Sequence, residues 1–165
     1  MLNIKSTPVK NIMVTPAIRV EKDLPLRDIV QVLEGNNISG VPVTDNQRVI
    51  GVVSERDILK YTRLVIGYPA KHFSQLPGGE NVANVTEERG INVMELAASI
   101  TAEVMMTKEP VVAKENTPIL EVVELICENN INRVPIVDEE GILKGIISRA
   151  DILKLIKEKG EKMIL

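Results

Sequence analysis

Gly51-Val52-Val53-Ser54-Glu55-Arg56-Asp57-Ile58-Leu59-Lys60 occurs a second time as Gly145-Ile146-Ile147-Ser148-Arg149-Ala150-Asp151-Ile152-Leu153-Lys154. In both copies a glycine and two branched apolar residues lead to a serine, an aspartate follows three residues later, and Ile-Leu-Lys closes the stretch. The apolar run reads as the end of a buried strand and the serine as the start of a helix. Ser-x-x-Asp resembles a capping box, in which the serine oxygen and the carboxylate each accept a backbone N–H. A strand running into a helix N-terminus presents unpaired N–H groups and the positive end of the helix dipole, which suits a phosphate. A single Ser-x-x-Asp after an apolar run is ordinarily only a helix cap. Its repetition inside a longer repeat is what gives it weight.

Around the first copy, Thr7-Pro8-Val9-Lys10-Asn11-Ile12-Met13 reads as a short helical turn, with Thr7 as cap and Pro8 at the first helical position. Ala17-Ile18-Arg19-Val20 alternates like a brief strand. Asp23-Leu24-Pro25 opens a helix whose apolar positions Leu26, Ile29, Val30 and Leu33 follow the helical period, and Gly35-Asn36-Asn37 stops it. Ile38 to Thr44 reads as a strand, at an edge or bulged because it contains Pro42. Asp45-Asn46-Gln47 is hairpin chemistry, Val49 to Val53 the returning strand, and Ser54 to about Ile66 the closing helix.

The second copy follows item by item. Thr101 to Met106 matches the opening turn, and Thr107 matches Thr15. Pro110 to Ala113 is the strand, and Asn116-Thr117-Pro118 opens a helix with the apolar face Ile119, Val122, Val123 and Ile126. Asn129-Asn130-Ile131 matches Asn36-Asn37-Ile38, and Val134-Pro135-Ile136-Val137-Asp138 matches Val41-Pro42-Val43-Thr44-Asp45. The expected division is a first repeat over 7–66, an insert over 67–100 and a second repeat over 101–160. The insert is rich in Gly and Pro, with a helical pattern over Asn92 to Ser99. It reads as a linker that is mobile without a ligand, or as a lid or partner contact.

A hydrophobic fraction of 44%, chiefly Val, Ile and Leu, supplies a core for one sizeable domain or two small ones in 165 residues. Two Tyr, one Phe and no Trp leave little for base stacking, and a net charge of -3 argues against a nucleic-acid binder. The single Cys127 excludes an intramolecular disulfide and a thiolate zinc cluster, and in its apolar helical pattern it reads as a buried structural residue. The single His72 makes no histidine metal site. No run reaches transmembrane length, and Met1-Leu2-Asn3-Ile4-Lys5 lacks the apolar core of a signal peptide, so a cytoplasmic protein is expected.

The two copies resemble a tandem pair of CBS domains, the modules named after cystathionine β-synthase. The marks are Ile12-Met13-Val14-Thr15 and Met105-Met106-Thr107, Gly40-Val41-Pro42-Val43 and Arg133-Val134-Pro135-Ile136, and the two Gly-x-x-Ser-x-x-Asp-Ile stretches. The resemblance implies an α+β fold of two βαββα repeats packed through their sheets around a pseudo-two-fold axis, and a homodimer. It implies adenine-nucleotide binding between the repeats, with Asp57 and Asp151 on ribose hydroxyls, Ser54 and Ser148 near ribose or phosphate, and Arg56 and Arg133 on phosphates. Adenine is expected near Ala17, Ile18, Val41 and Pro42 in one copy and Val111, Val112, Val134 and Pro135 in the other. Because Arg56 faces Ala150 and Arg133 faces Gly40 in the alignment, the two sites should be unequal, with Arg149 directed elsewhere.

The function this implies is a sensor of AMP, ADP or ATP that changes how an unidentified partner protein behaves. The alternatives are a binder of S-adenosylmethionine or a related adenosyl compound, a ligand-free structural or interaction module, and a nucleic-acid accessory protein. Catalysis is not expected: there is no Ser-His-Asp set, Cys-His pair, metal-ligand cluster or P-loop, and no catalytic cofactor is implied.

Overall fold

The computed structural model describes residues 2–67, 98–159 and 163–164. The expectations for the insert, including the helix over Asn92 to Ser99, and for His72 concern residues that lie wholly or mostly outside that range. In chain order the elements are β1 (Leu2–Asn3), a 3-10 turn (Val9–Asn11), β2 (Val20–Glu21), α1 (Leu26–Gly35), β3 (Gly40–Asp45), β4 (Arg48–Ser54) and α2 (Glu55–Gly67). Then follow α3 (Ala102–Met105), β5 (Thr107–Lys108), β6 (Ala113–Lys114), α4 (Ile119–Glu128), β7 (Arg133–Val137), β8 (Leu143–Ser148), α5 (Arg149–Lys159) and β9 (Met163–Ile164). The fold is α+β, and each copy runs strand, helix, strand, strand, helix.

The helices form where the apolar period runs. Leu26, Ile29 and Leu33 of α1 and Ile119, Val122 and Ile126 of α4 are buried. Both helices begin after a proline, Pro25 and Pro118. Both end in a Schellman motif. Asn37 and Asn130 adopt φ of 51° and 49°. The N–H of Ile38 reaches Leu33 O at 3.0 Å and that of Asn37 reaches Glu34 O at 3.1 Å, with Ile131 to Ile126 O and Asn130 to Cys127 O as the second pair. The first hairpin turns at Asn46 and Gln47, φ 50° and 70°, the positive pair that a two-residue turn between twisted strands requires.

Two expectations change. Pro8 occupies the N-cap position ahead of Val9, and no side chain caps that turn. The proline-bearing strands are internal, in the orders β2-β3-β4-β5 and β6-β7-β8. The prolines are tolerated because β2 reaches only Val43 and Thr44, and β6 only Ile136 and Val137, so beside Pro42 and Pro135 one flank is unpaired. A register shift does follow, at Ile136/Val137.

The compact units do not coincide with the sequence copies. One comprises Met1–Ile18, Gln47–Val49 and Glu109–Leu165; the other comprises Arg19–Asn46 and Ile50–Lys108. Each thus contains the body of one copy and the opening turn of the other. The backbone accounts for this. In the first unit, the Val9 N–H donates to Thr117 O at 2.8 Å and the Ile119 N–H to Thr7 O at 2.9 Å. In the second, Ala102 donates to Leu24 O at 2.9 Å and Leu26 to Ile100 O at 2.7 Å. Each opening turn therefore satisfies orphan groups at the start of a helix from the other copy.

Among the described residues, the second unit has a core built on Ile29, Val41, Val43, Val53 and Met105. The first has a core on Val9, Val122, Val134, Ile136 and Ile147, and a smaller one on Ile4, Ile119 and Leu155. Burying one such side chain fully is worth about 1.5–3 kcal/mol. In the first unit β1 and β9 pair in parallel, Leu2 with Met163 and Asn3 with Ile164.

Candidate functional sites at the two strand-to-helix turns

Ser54 precedes the first residue of α2, and Asp57 is the third residue of that helix. The Ser54 N–H donates to Asp57 Oδ2 at 2.9 Å, the Ser54 hydroxyl donates to the same oxygen at 2.5 Å, and the Asp57 N–H donates to Ser54 Oγ at 3.4 Å. Ser148 and Asp151 repeat this at 2.8, 2.6 and 3.3 Å. The capping box is thus present twice. Next to it, the first N–H of each helix is also satisfied: Glu55 donates to Ser39 O at 3.0 Å and Arg149 to Asn132 O at 2.9 Å.

The cap settles how each carboxylate is used. Oδ2 already accepts two hydrogen bonds, and an ionised carboxylate has further lone pairs on its other oxygen. Asp57 Oδ1 has the Thr107 hydroxyl at 3.5 Å, too long for a strong bond. Among the described residues, no hydrogen bond reaches Asp151 Oδ1. All four cap residues are half-buried.

The glycine ahead of each cap has a steric purpose. A Cβ on Gly51 would collide with the Met106 side chain. One on Gly145 would lie 2.5 Å from Met13 Sδ and 3.0 Å from the Val14 carbonyl oxygen. The absence of a side chain lets the methionine of an opening turn lie across the strand end. Here the strand register corrects the alignment. Thr107 pairs with Val52 and Lys108 with Gly51, whereas Val14 is bridged to Ile146. Val14, not Thr15, is therefore the counterpart of Thr107. Thr15 instead donates its hydroxyl to Lys144 O at 3.1 Å.

The other anticipated residues fall into three groups. Arg56 is exposed on the first turn of α2, and Arg133 is half-buried at the start of β7, where it pairs across the ladder with Ser148. Arg149 is directed elsewhere, as expected: its Nε donates to Ile131 O at 2.8 Å. Ala17 and Val111 are half-buried, and Ile18 and Val112 are 39% and 37% exposed. These four lie just ahead of β2 and β6, because the strands begin later than the alternation suggests. Val41, Pro42, Val134 and Pro135 are buried, and both valines are core residues, so they can offer a ligand only their backbone. Cys127 is exposed, contrary to expectation, because it falls on the solvent side of α4. No cluster of three or more His, Cys, Asp or Glu is arranged to hold a metal among the described residues.

The model of the CBS domain family matches residues 9–63 and 100–158. The chain belongs to the CBS domain family. It is 29% identical over 155 residues to the uncharacterized protein MJ1426 of Methanocaldococcus jannaschii, covering 90% of each chain. Other relatives are longer: the chain spans 22% of the inosine-5′-monophosphate dehydrogenase of that organism. Among solved structures it is similar to the CBS domain pair of protein MJ0100 in complex with 5′-methylthioadenosine and S-adenosyl-L-methionine, at a TM-score of 0.67 and 23% identity. That match covers 93% of this chain and 98% of the other. CBSX2 in complex with AMP matches at 0.67 and 21% identity, with the same two coverages.

Within the CBS repeats, sequence reasoning missed Thr107, Val14, Met13 and Met106 as neighbours of the caps. The signal was the methionine ahead of each opening strand, together with the glycine that makes room for it. The hairpins of the two CBS repeats also carry equivalent aspartates. Lys22 Nζ donates to Asp45 at 2.7 Å, which raises the lysine pKa. Asp138 takes Lys144 Nζ at 2.9 Å and the N–H groups of Glu140 and Ile142; the lysine bond is the main cause that holds its carboxyl below the usual range. No helix among the described residues is long and apolar enough to cross a membrane.

Proposed function

We propose that the chain is a regulatory module that binds an adenine nucleotide, AMP, ADP or ATP, at the caps of α2 and α5, and through it alters the behaviour of a partner protein. The observation that carries this reading is the doubled capping box, which anchors each carboxylate by Oδ2 and leaves Oδ1 for a ligand. The adenosyl ligands of the MJ0100 and CBSX2 structures support it. Asp57 and Asp151 take ribose hydroxyls, and Arg56 and Arg133 take phosphates. The ligand acts by its differential affinity for two states of the chain, and no catalytic step is assigned.

Titration of the full chain with AMP and adenosine tests this. Asp57→Ala weakens both, because both carry the ribose diol; losing a hydrogen bond to a charged group costs about 1.5–3 kcal/mol, roughly ten- to a hundredfold in Kd. Arg56→Ala weakens AMP much more than adenosine. Equal weakening removes the phosphate role of Arg56 and favours the second reading, S-adenosylmethionine or a related compound, which lacks that phosphate. That reading draws on the MJ0100 complex.

A homodimer belongs to the same proposal. Of the apolar residues at the end of the second repeat, Leu155 is buried and Ile152 is packed against a core, but Leu153 is 66% and Ile156 49% exposed. Leu59, the counterpart of Leu153, is 69% exposed. Light scattering at micromolar concentration should give a dimer that Leu153→Glu dissociates; a monomer throughout refutes it.

A further inference from the structure

We infer that Thr107 is a specificity-determining residue: with Asp57 it holds the ribose of the ligand at the first CBS repeat, a bond that Val14 denies the second. This rests on the adenosyl-ligand reading above and adds a residue and a selectivity to it.

Three observations carry it. The first is the strand register, which places Thr107 opposite Val52 and Val14 opposite Ile146, two equivalent positions. Threonine and valine have nearly the same shape, so the exchange alters hydrogen bonding while sparing packing. The second is the state of the carboxylate. Oδ2 of Asp57 accepts the Ser54 N–H and hydroxyl, so a vicinal diol finds only Oδ1 open and needs another partner for its second hydroxyl. The third is distance. Thr107 Oγ1 lies 3.5 Å from Asp57 Oδ1, beyond the usual 2.5–3.0 Å of an O–H···O bond. The threonine hydroxyl is therefore weakly engaged, exposed, and beside the oxygen that takes the diol. A ribose that donates one hydroxyl to Asp57 Oδ1 and pairs the other with Thr107 satisfies both groups. At the second repeat Asp151 holds the same cap, but Val14, 48% exposed, supplies methyl groups where the hydroxyl would be. The first site thus selects for an intact ribose, and the second tolerates a deoxyribose more readily.

Calorimetric titration of the full chain with adenosine, 2′-deoxyadenosine and 3′-deoxyadenosine tests this. The first site is read in the Asp151→Ala chain and the second in the Asp57→Ala chain; Thr107→Val in the otherwise unaltered chain gives the same comparison on both sites together. Thr107→Val should weaken adenosine about two- to tenfold, the range of one neutral hydrogen bond, and leave one deoxy isomer unchanged. Thr107→Ser should keep the wild-type preference, and Val14→Thr should tighten adenosine at the second site by a similar factor. Thr107→Val that weakens all three ligands equally, or none, in a chain that binds adenosine overturns the role of Thr107 alone. An unaltered chain that binds none of the three nucleosides, nor AMP or S-adenosylmethionine, overturns the adenosyl reading and this inference with it.

Discussion

The caps at Ser54 and Ser148 agree to about 0.1 Å in each of their three hydrogen bonds, and each follows a glycine overlain by a methionine, while several polar and charged neighbours differ. Thr107 stands opposite one and Val14 opposite the other; Arg56 corresponds to Ala150, and Arg133 to Gly40. The difference separates two demands on one stretch. Starting a helix from a buried strand end requires a serine and an aspartate in fixed relation, and both repeats meet it in the same way. Binding a ligand depends on what surrounds the remaining carboxylate oxygen, and there each repeat has its own set.

The glycines test the comparison with the largest expected effect. Overpacking a filled site costs about 1–3 kcal/mol. At Gly51 the three nearest neighbours of an added Cβ are Met106 Sδ, Cγ and Cβ; the first two can swing away, but Cβ, at 3.0 Å, is fixed to the backbone. At Gly145 Met13 Sδ and Cγ can likewise move, and the Val14 carbonyl oxygen, at 3.0 Å, is the fixed neighbour. In urea denaturation Gly51→Ala and Gly145→Ala should therefore be destabilising to a similar degree. Met106→Ala should rescue Gly51→Ala, and Met13→Ala should rescue Gly145→Ala, each only in part. Full rescue in one repeat alone would mean that its fixed neighbour is irrelevant and that the two strand ends are sterically different.

The caps give the next effect, in which the repeats should agree. Asp57→Ala and Asp151→Ala each remove an equivalent cap, worth about 1 kcal/mol. Their losses of stability should match to within a few tenths of a kcal/mol, while their effects on ligand affinity diverge. Unequal losses in the absence of ligand would show that Thr107, the polar neighbour of Asp57, contributes to the folded state as well.

The repeat itself was legible because its signals are local. The caps, the asparagine stops, the hairpin turns and the apolar faces of α1 and α4 each depend on a few adjacent residues. The exchange of opening turns was not, because it rests on backbone bonds such as Val9 N–H to Thr117 O, which leave no trace in side-chain identity. The pairing of Thr107 with Thr15 failed for a related reason. Matching like residues shifts the register by one, and only the ladder places Val14 at the equivalent point. Among the anticipated site residues, the Ser-Asp pairs came from spacing with a mechanism behind it. Val41 and Val134 came from the family resemblance alone, and the structure buries both in the cores.

The smallest effect lies in the hairpins, whose ion pairs should make both repeats respond to alkali and the second respond to acid through Asp138. Asp138 has its pKa lowered from 3.8, first by the hydrogen bond from Lys144 and then by the N–H groups of Ile142 and Glu140. A carboxyl whose folded pKa is depressed contributes stability above its ordinary value and loses it as pH falls through the lowered one. In the first repeat Lys22 is raised from 10.5 by its bond to Asp45, so its contribution is present below that value and lost as pH rises through the raised one. Lys144 is raised as well, so alkali also weakens the second hairpin. The pairs are solvent-exposed and screened by salt, so the measurement belongs at the residue, at low ionic strength. Carbon-detected NMR titration should place the Asp138 midpoint below 3.8, and Lys144→Met should move it upward without restoring it fully, because two backbone N–H groups still hold the same carboxylate. An Asp138 midpoint that does not move in Lys144→Met would assign the depression to the turn backbone and remove the ion pair from the account.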